Sequence, residues 1–115
     1  MRSLIRNEWV KTRPFPHAWV AVDGEQLVGF VSGHPQAPHP ILDKPPTALI
    51  GDLFVRDSHR RRGLALKLVD TFIEHAQAAK YEMIEVGTLT RDSRAVAFWR
   101  AAGFEELNVL LRLSR

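Results

Sequence analysis

The sequence predicts an α/β fold of the α+β kind, a mixed, mostly antiparallel sheet with helices on both faces. Three observations lead there. Two apolar β-type runs, HAWVAV and QLVGFVSG, flank Asp23-Gly24, a pair that tolerates the positive φ angles of a tight hairpin turn. TALIGDLFV and YEMIEVGTL enclose a long amphipathic stretch, so a hairpin feeds a strand–helix–strand unit. In that stretch Ala65, Leu68, Val69, Phe72, Ile73 and Ala76 recur at steps of three and four, with Lys67, Asp70, Thr71, Glu74 and Gln77 between them, the pattern of a helix with one buried face.

The other elements follow in order. Leu4, Ile5, Trp9 and Val10 are spaced as on a short helix within residues 1–12, ended by Pro14 and Pro16. Five prolines between His34 and Pro46 make a loop. TALIGDLFV is apolar on both faces, as in a central strand. SRAVAFWRAAG presents Ala95, Phe98, Trp99 and Ala102 on one helical face and ends at Gly103, a C-cap residue. FEELNVLLRLS reads as a closing strand. The expected division is an N-terminal helical arm over 1–16 and a single core over 17–115.

At 115 residues the chain can bury one core. A net charge of +3 is too small to argue for nucleic acid. The absence of cysteine removes disulfides, thiolate nucleophiles and sulfur-based zinc sites. The five histidines fall in no metal-ligand spacing. No apolar run approaches the roughly 20 residues of a membrane span, and the charged start lacks a signal peptide's apolar stretch. A cytoplasmic protein that binds no metal is expected.

The chemistry concentrates in DSHRRRGLALKL, residues 57–68. Three arginines precede a glycine and a helix, whose front already carries roughly half a positive charge. That placement is unfavourable unless an anion is bound. Helix-start N–H groups lack intrahelical partners, glycine lets a large anion approach, and Arg60, Arg61 and Arg62 add charge-assisted hydrogen bonds. Ala65 keeps the first turn uncluttered. Phosphate or pyrophosphate fits, yet neither common nucleotide-binding glycine loop is present.

RRRGLA, residues 60–65, resembles the [RQ]-x-x-G-x-[GA] loop of the GNAT superfamily of acetyl-CoA-dependent N-acyltransferases. DSRAVAFWRAAGF, residues 92–104, is similar to that family's second signature, N-x-x-A-x-x-[FL]-Y-x-x-x-G-F. The likeness covers about residues 17–115. It implies acetyl-CoA as acyl donor, with the amides of residues 60–65, including Gly63, Leu64 and Ala65, on its pyrophosphate. It implies that Phe54 and Val55 pair their backbone with the pantetheine arm, and that Asp92, Ala95, Phe98 and Trp99 lie along the far side of the cofactor. The cofactor cleft would open where the fourth and fifth strands splay apart. Asp92 stands where asparagine is usual, and Trp99 where a tyrosine protonates the departing sulfur. An indole N–H donates hydrogen bonds but cannot act as an acid. The resemblance implies a strand and helix before the hairpin. With only sixteen residues before His17, they are expected either to be replaced by another chain or to be missing, exposing apolar surface and a sheet edge. A homodimer is expected to cover them.

Acetyl transfer needs a base for the amine, and Asp52, in an otherwise apolar strand, is the candidate catalytic residue. Burial raises a carboxylate's pKa, which suits such a role. Glu82 and Glu85 are weaker candidates. The leading reading is therefore an N-acetyltransferase acting on a small-molecule, peptide or protein amine. The rivals are an acetyl-CoA-binding module with weakened turnover and a basic nucleic-acid binder. The second lacks interleaved aromatics and a long basic stripe.

Overall fold

The structure is a computed structural model describing residues 3–7, 18–38, 40–88 and 91–114. Five strands form one sheet in sequence order: β1 (Ser3–Asn7), β2 (Ala18–Asp23), β3 (Gln26–Pro35), β4 (Thr47–Val55) and β5 (Met83–Val86). β1 to β4 pair antiparallel in turn, and β4 pairs parallel with β5. Helix α1 (Leu64–Ala78) makes the crossover between the parallel strands, and α2 (Ser93–Ala101) follows β5.

The hairpin forms as expected, with Asp23 paired to Gln26 across Gly24 and Glu25. Gly24 has φ 63, the positive value that a type II′ turn requires at its first central residue. α1 lays Leu64, Leu68, Val69, Phe72 and Ala76 on Trp19, Ala21, Val28, Val31, Ala48, Ile50 and Val55. Phe72 is fully buried and meets Trp19 edge-on at 5.8 Å.

Gly33 makes this approach possible. A Cβ there would lie 2.2 Å from Leu49 O and 2.4 Å from the Phe72 ring. Gly33→Ala is expected to cost about 1–3 kcal/mol by overpacking, read as a lower denaturant midpoint at unchanged slope.

Two expected elements are corrected. The helix read within residues 1–12 is, at residues 3–7, a strand paired to β2 in the register Ser3↔Asp23 to Asn7↔Trp19. A strand before the hairpin is therefore present. Leu4 and Ile5 carry helical spacing only together with Trp9 and Val10, whereas the N–H and C=O groups of a bare β2 edge demand a partner. Residues 8–16, including the expected end of the arm, lie outside the described residues. The closing strand is the second correction. Residues 105–114 are exposed and belong to no ladder. An alternating sequence becomes a strand only when a sheet edge pairs with it.

Candidate functional site

Past Val55 the chain makes one 3-10 turn (Asp57–His59), then the arginine loop. Arg61 takes φ 63 and Gly63 takes φ 75. The left-handed region costs a non-glycine residue about 1–2 kcal/mol. Arg60 braces the bend, donating Nε–H to Val55 O at 3.0 Å and placing Nη1 2.7 Å from Asp57 Oδ1. The first of the three arginines is thus also a strut.

Gly63 is the N-cap of α1 and its carbonyl accepts from Lys67 N at 3.0 Å. No side chain caps the helix, and no acidic residue sits in its first turn. The leading N–H groups of α1 therefore have neither an intrahelical partner nor a capping oxygen. They stand beside a cavity of about 270 Å³. Val55, Arg60, Arg61, Gly63, Leu64 and Ala65 line it, and Phe98 reaches in from α2. Helix dipole, uncapped donors and Arg61 converge there, which is what a phosphate or pyrophosphate requires.

Val55, which lines the cavity, ends a strand that forks away from its neighbour. β4 and β5 pair only from Thr47↔Met83 to Ile50↔Val86, while residues 52–55 of β4 stay paired to β3 on the other side. Their second edge is not laddered to β5. Asp52 faces Ser32 and Ile50 faces Gly33, so Gly51 is an extra residue, a bulge at the fork. From Gly51 to Val55 the open edge runs for roughly 13 Å at strand rise.

Asp52 stands at this fork, yet it is exposed, and the burial expected for it is absent. The bulge explains this. Leu53 and Val55 belong to the α1 side, so the alternating positions Asp52 and Phe54 take the opposite face. There Ser32 Oγ donates to Asp52 Oδ2 at 3.4 Å, and the Phe30 and Phe54 rings lie 5.9 Å apart. Carboxylate, hydroxyl and two rings thus share one open patch.

The second signature folds as a helix with structural work for its unusual residues. Asp92 is the N-cap of α2, its Oδ1 accepting from Ala95 N at 3.1 Å. Phe104 N donates to Trp99 O at 2.9 Å and Gly103 N to Arg100 O at 3.0 Å, with Gly103 at φ 101. That is a Schellman end, and its usual apolar contact is here Trp99 against Phe104 at 5.3 Å. Trp99 also meets Phe98 edge-on at 5.0 Å.

Of the residues singled out in the sequence, the structure gathers Val55, Arg60, Arg61, Gly63, Leu64, Ala65 and Phe98 around one cavity. Arg62, Phe54, Asp92, Ala95 and Trp99 are not among the residues lining it. His59 and Leu66 line it and were missed. Only their position beside the glycine loop could have flagged them. Tyr81 lies just before β5, at the end opposite the fork. Among the described residues no cluster of three His, Cys, Asp or Glu could hold a metal, and no helix is long and apolar enough to cross a membrane.

Comparison with known proteins agrees with this fold. The chain is 34% identical over 88 residues to N-acetyltransferase 8 of Homo sapiens, covering 76% of this chain and 38% of that protein. It is 32% identical over 92 residues to N-acetyltransferase 8B of Rattus norvegicus, covering 76% and 39%. The chain thus spans about two fifths of these relatives' length. The aminoglycoside N-acetyltransferase AAC(6')-Iy in complex with CoA superposes with a TM-score of 0.74 at 20% identity, over 86% of this chain and 67% of that one. An aminoglycoside acetyltransferase from an uncultured soil metagenomic sample superposes at 0.68 with 25% identity, over 85% and 64%. The Acetyltransferase (GNAT) family profile matches residues 2–104. With the glycine loop, the forked sheet and the second signature in the family's order, the chain belongs to the GNAT acetyltransferase family.

Proposed function

We propose that this protein is an N-acetyltransferase that moves an acetyl group from acetyl-CoA directly to a primary amine. One observation carries the reading: an uncapped, acid-free helix start, bent by Arg61 and Gly63, opens on a cavity bordered by Val55, the end of a β4 stretch whose second edge is not laddered to β5. Names of relatives and neighbours as N-acetyltransferases support turnover over a bare binding module.

Acetyl-CoA supplies the acyl group as a thioester, with a thiolate as leaving group. The chain's own residues do the rest. The first-turn N–H groups of α1, Gly63 and Arg61 hold the pyrophosphate, with Arg60 and Arg62 adding positive charge. The free edge of residues 51–55 binds the extended pantetheine arm as an added strand would. Its N–H groups polarise the acyl oxygen. Asp52, at the fork, takes the amine's proton on a carboxylate oxygen, and Ser32 orients that carboxylate. Phe30 and Phe54 beside it favour a cationic amine. The Asp92 cap and the Trp99–Phe104 contact hold α2 so that Phe98 closes the cavity. Trp99 packs and does not supply a proton, so the thiolate departs on its own acidity. A thiol of pKa about 8.5, with cysteine as proxy, is a fair leaving group.

The test is a thermal shift with acetyl-CoA, then thiol release across polyamines, aminoglycosides and peptide amines. Stabilisation by acetyl-CoA and amine-dependent thiol release are expected. Stabilisation without release from any amine would favour the binding module, and salt-sensitive duplex binding without stabilisation the nucleic-acid reading.

The proposal includes a cytoplasmic location and a homodimer. Leu107, Val109, Leu111 and Leu113 alternate along an exposed segment, each at least 67% exposed, apolar side chains that a second copy would cover. Sedimentation at micromolar concentration is expected to give twice the 13.1 kDa chain mass. A clean monomer would contradict this.

A further inference from the structure

Three contacts tie the segment before the arginine loop to the β2–β3 hairpin. Arg56 donates its backbone N–H to Val28 O at 2.8 Å and its Nε–H to Leu27 O at 2.7 Å. The third contact comes from a buried ring. His59 is 7% exposed, with Nε2 2.9 Å from Asp23 Oδ2 and Nδ1 2.7 Å from Ser58 Oγ. An ionised carboxylate only accepts, so its partners assign a hydrogen to Nε2. The Ser58 hydroxyl, which can donate or accept, pairs with Nδ1. Both nitrogens are engaged, and the ring plane is fixed.

Asp23 ends β2 and does not line the anion cavity, whereas His59 does. Two residues beyond His59 the chain enters the left-handed bend at Arg61. A side chain persists in that conformation only when its surroundings hold it there. Arg60 holds the bend to β4 through Val55 O. His59 supplies the second anchor, on the hairpin.

We propose that His59 is a positioning residue for the cofactor. Its hydrogen bond to Asp23 fixes the loop so that Arg61, Gly63 and the first N–H groups of α1 meet one pyrophosphate. The inference rests on the acetyl-CoA reading above and adds what that reading lacks, a dependence of cofactor affinity on the β2–β3 turn. The hydrogen bond contributes preorganisation: once it is lost, binding must order the loop as well as fill it. The pantetheine half of the cofactor lies along β4 and is indifferent to the latch.

Calorimetric titration with CoA, and with pantetheine at millimolar concentration, tests this. His59→Ala and Asp23→Ala are each expected to weaken CoA about tenfold, roughly the net worth of one hydrogen bond. Pantetheine affinity stays the same, because pantetheine carries no phosphate. Asp23→Asn keeps an acceptor oxygen and restores CoA binding to within about twofold of wild type. The double variant His59→Ala with Asp23→Ala is no weaker than either alone, the mark of one shared interaction. Should His59→Ala fail to fold by circular dichroism, the contrast between Asp23→Ala and Asp23→Asn decides alone. Unchanged CoA affinity in Asp23→Ala, an equal loss for pantetheine, or multiplied losses in the double variant would overturn the latch. A wild-type chain that does not bind CoA would instead overturn the cofactor reading itself, and the latch with it.

Discussion

Gly63→Asp is expected to weaken CoA binding on the order of 100-fold while lowering the melting temperature by no more than about a few degrees. The two halves of this result have separate causes. Nothing lies within 4 Å of a Cβ built at Gly63, and aspartate is among the few residues that visit φ 75 readily. A carboxylate at the start of α1 also meets the helix dipole and Arg61 favourably. The dipole thus offsets part of the left-handed strain, and the folded chain tolerates the substitution. The same carboxylate occupies the donors meant for pyrophosphate and repels it at close range. Calorimetry and a thermal melt on the same sample separate the effects. A stable variant that still binds CoA as wild type does would remove the anion site from the head of α1.

Asp52→Asn is expected to lower amine-dependent thiol release by about 10²–10⁴-fold at neutral pH, the usual worth of a positioned general base. The KM for acetyl-CoA should stay as it is. The substitution keeps shape and the acceptor oxygen that Ser32 reaches, so only proton acceptance is lost. Because the carboxyl is exposed rather than buried, its claim rests on place: two residues past the last β4–β5 pair, beside the bulge at Gly51. Unchanged turnover in Asp52→Asn would move the base elsewhere.

Much of this was legible in local sequence. The Asp23-Gly24 turn, the apolar stripe of α1 and the Arg60–Ala65 loop are encoded within a few residues, where periodicity and backbone preference speak directly. Pairing partners are not written locally. Ser3–Asn7 became a strand because β2 presented an edge, and residues 105–114 joined no ladder despite their alternation. Gly51 offered no sign of a bulge, since its being unpaired depends on the register between Ser32 and Asp52. Without it, Asp52 would share the face of Ile50 against α1 and be buried, as its apolar surroundings suggested. Asp92 and Trp99 looked like departures from a catalytic pattern. In the fold they cap α2 and pack its Schellman end, roles that follow from helix geometry. The role of His59 was not legible beyond its place beside the glycine loop, because its partner Asp23 is 36 residues away.

On this proposal the head of α1 holds the pyrophosphate of an acyl-CoA. The most direct measurement is calorimetric titration of the wild-type chain with acetyl-CoA, with and without excess inorganic pyrophosphate. One molecule bound per chain, weakened in proportion to the competing pyrophosphate, is the predicted result. No binding, or binding that pyrophosphate leaves untouched, would contradict it.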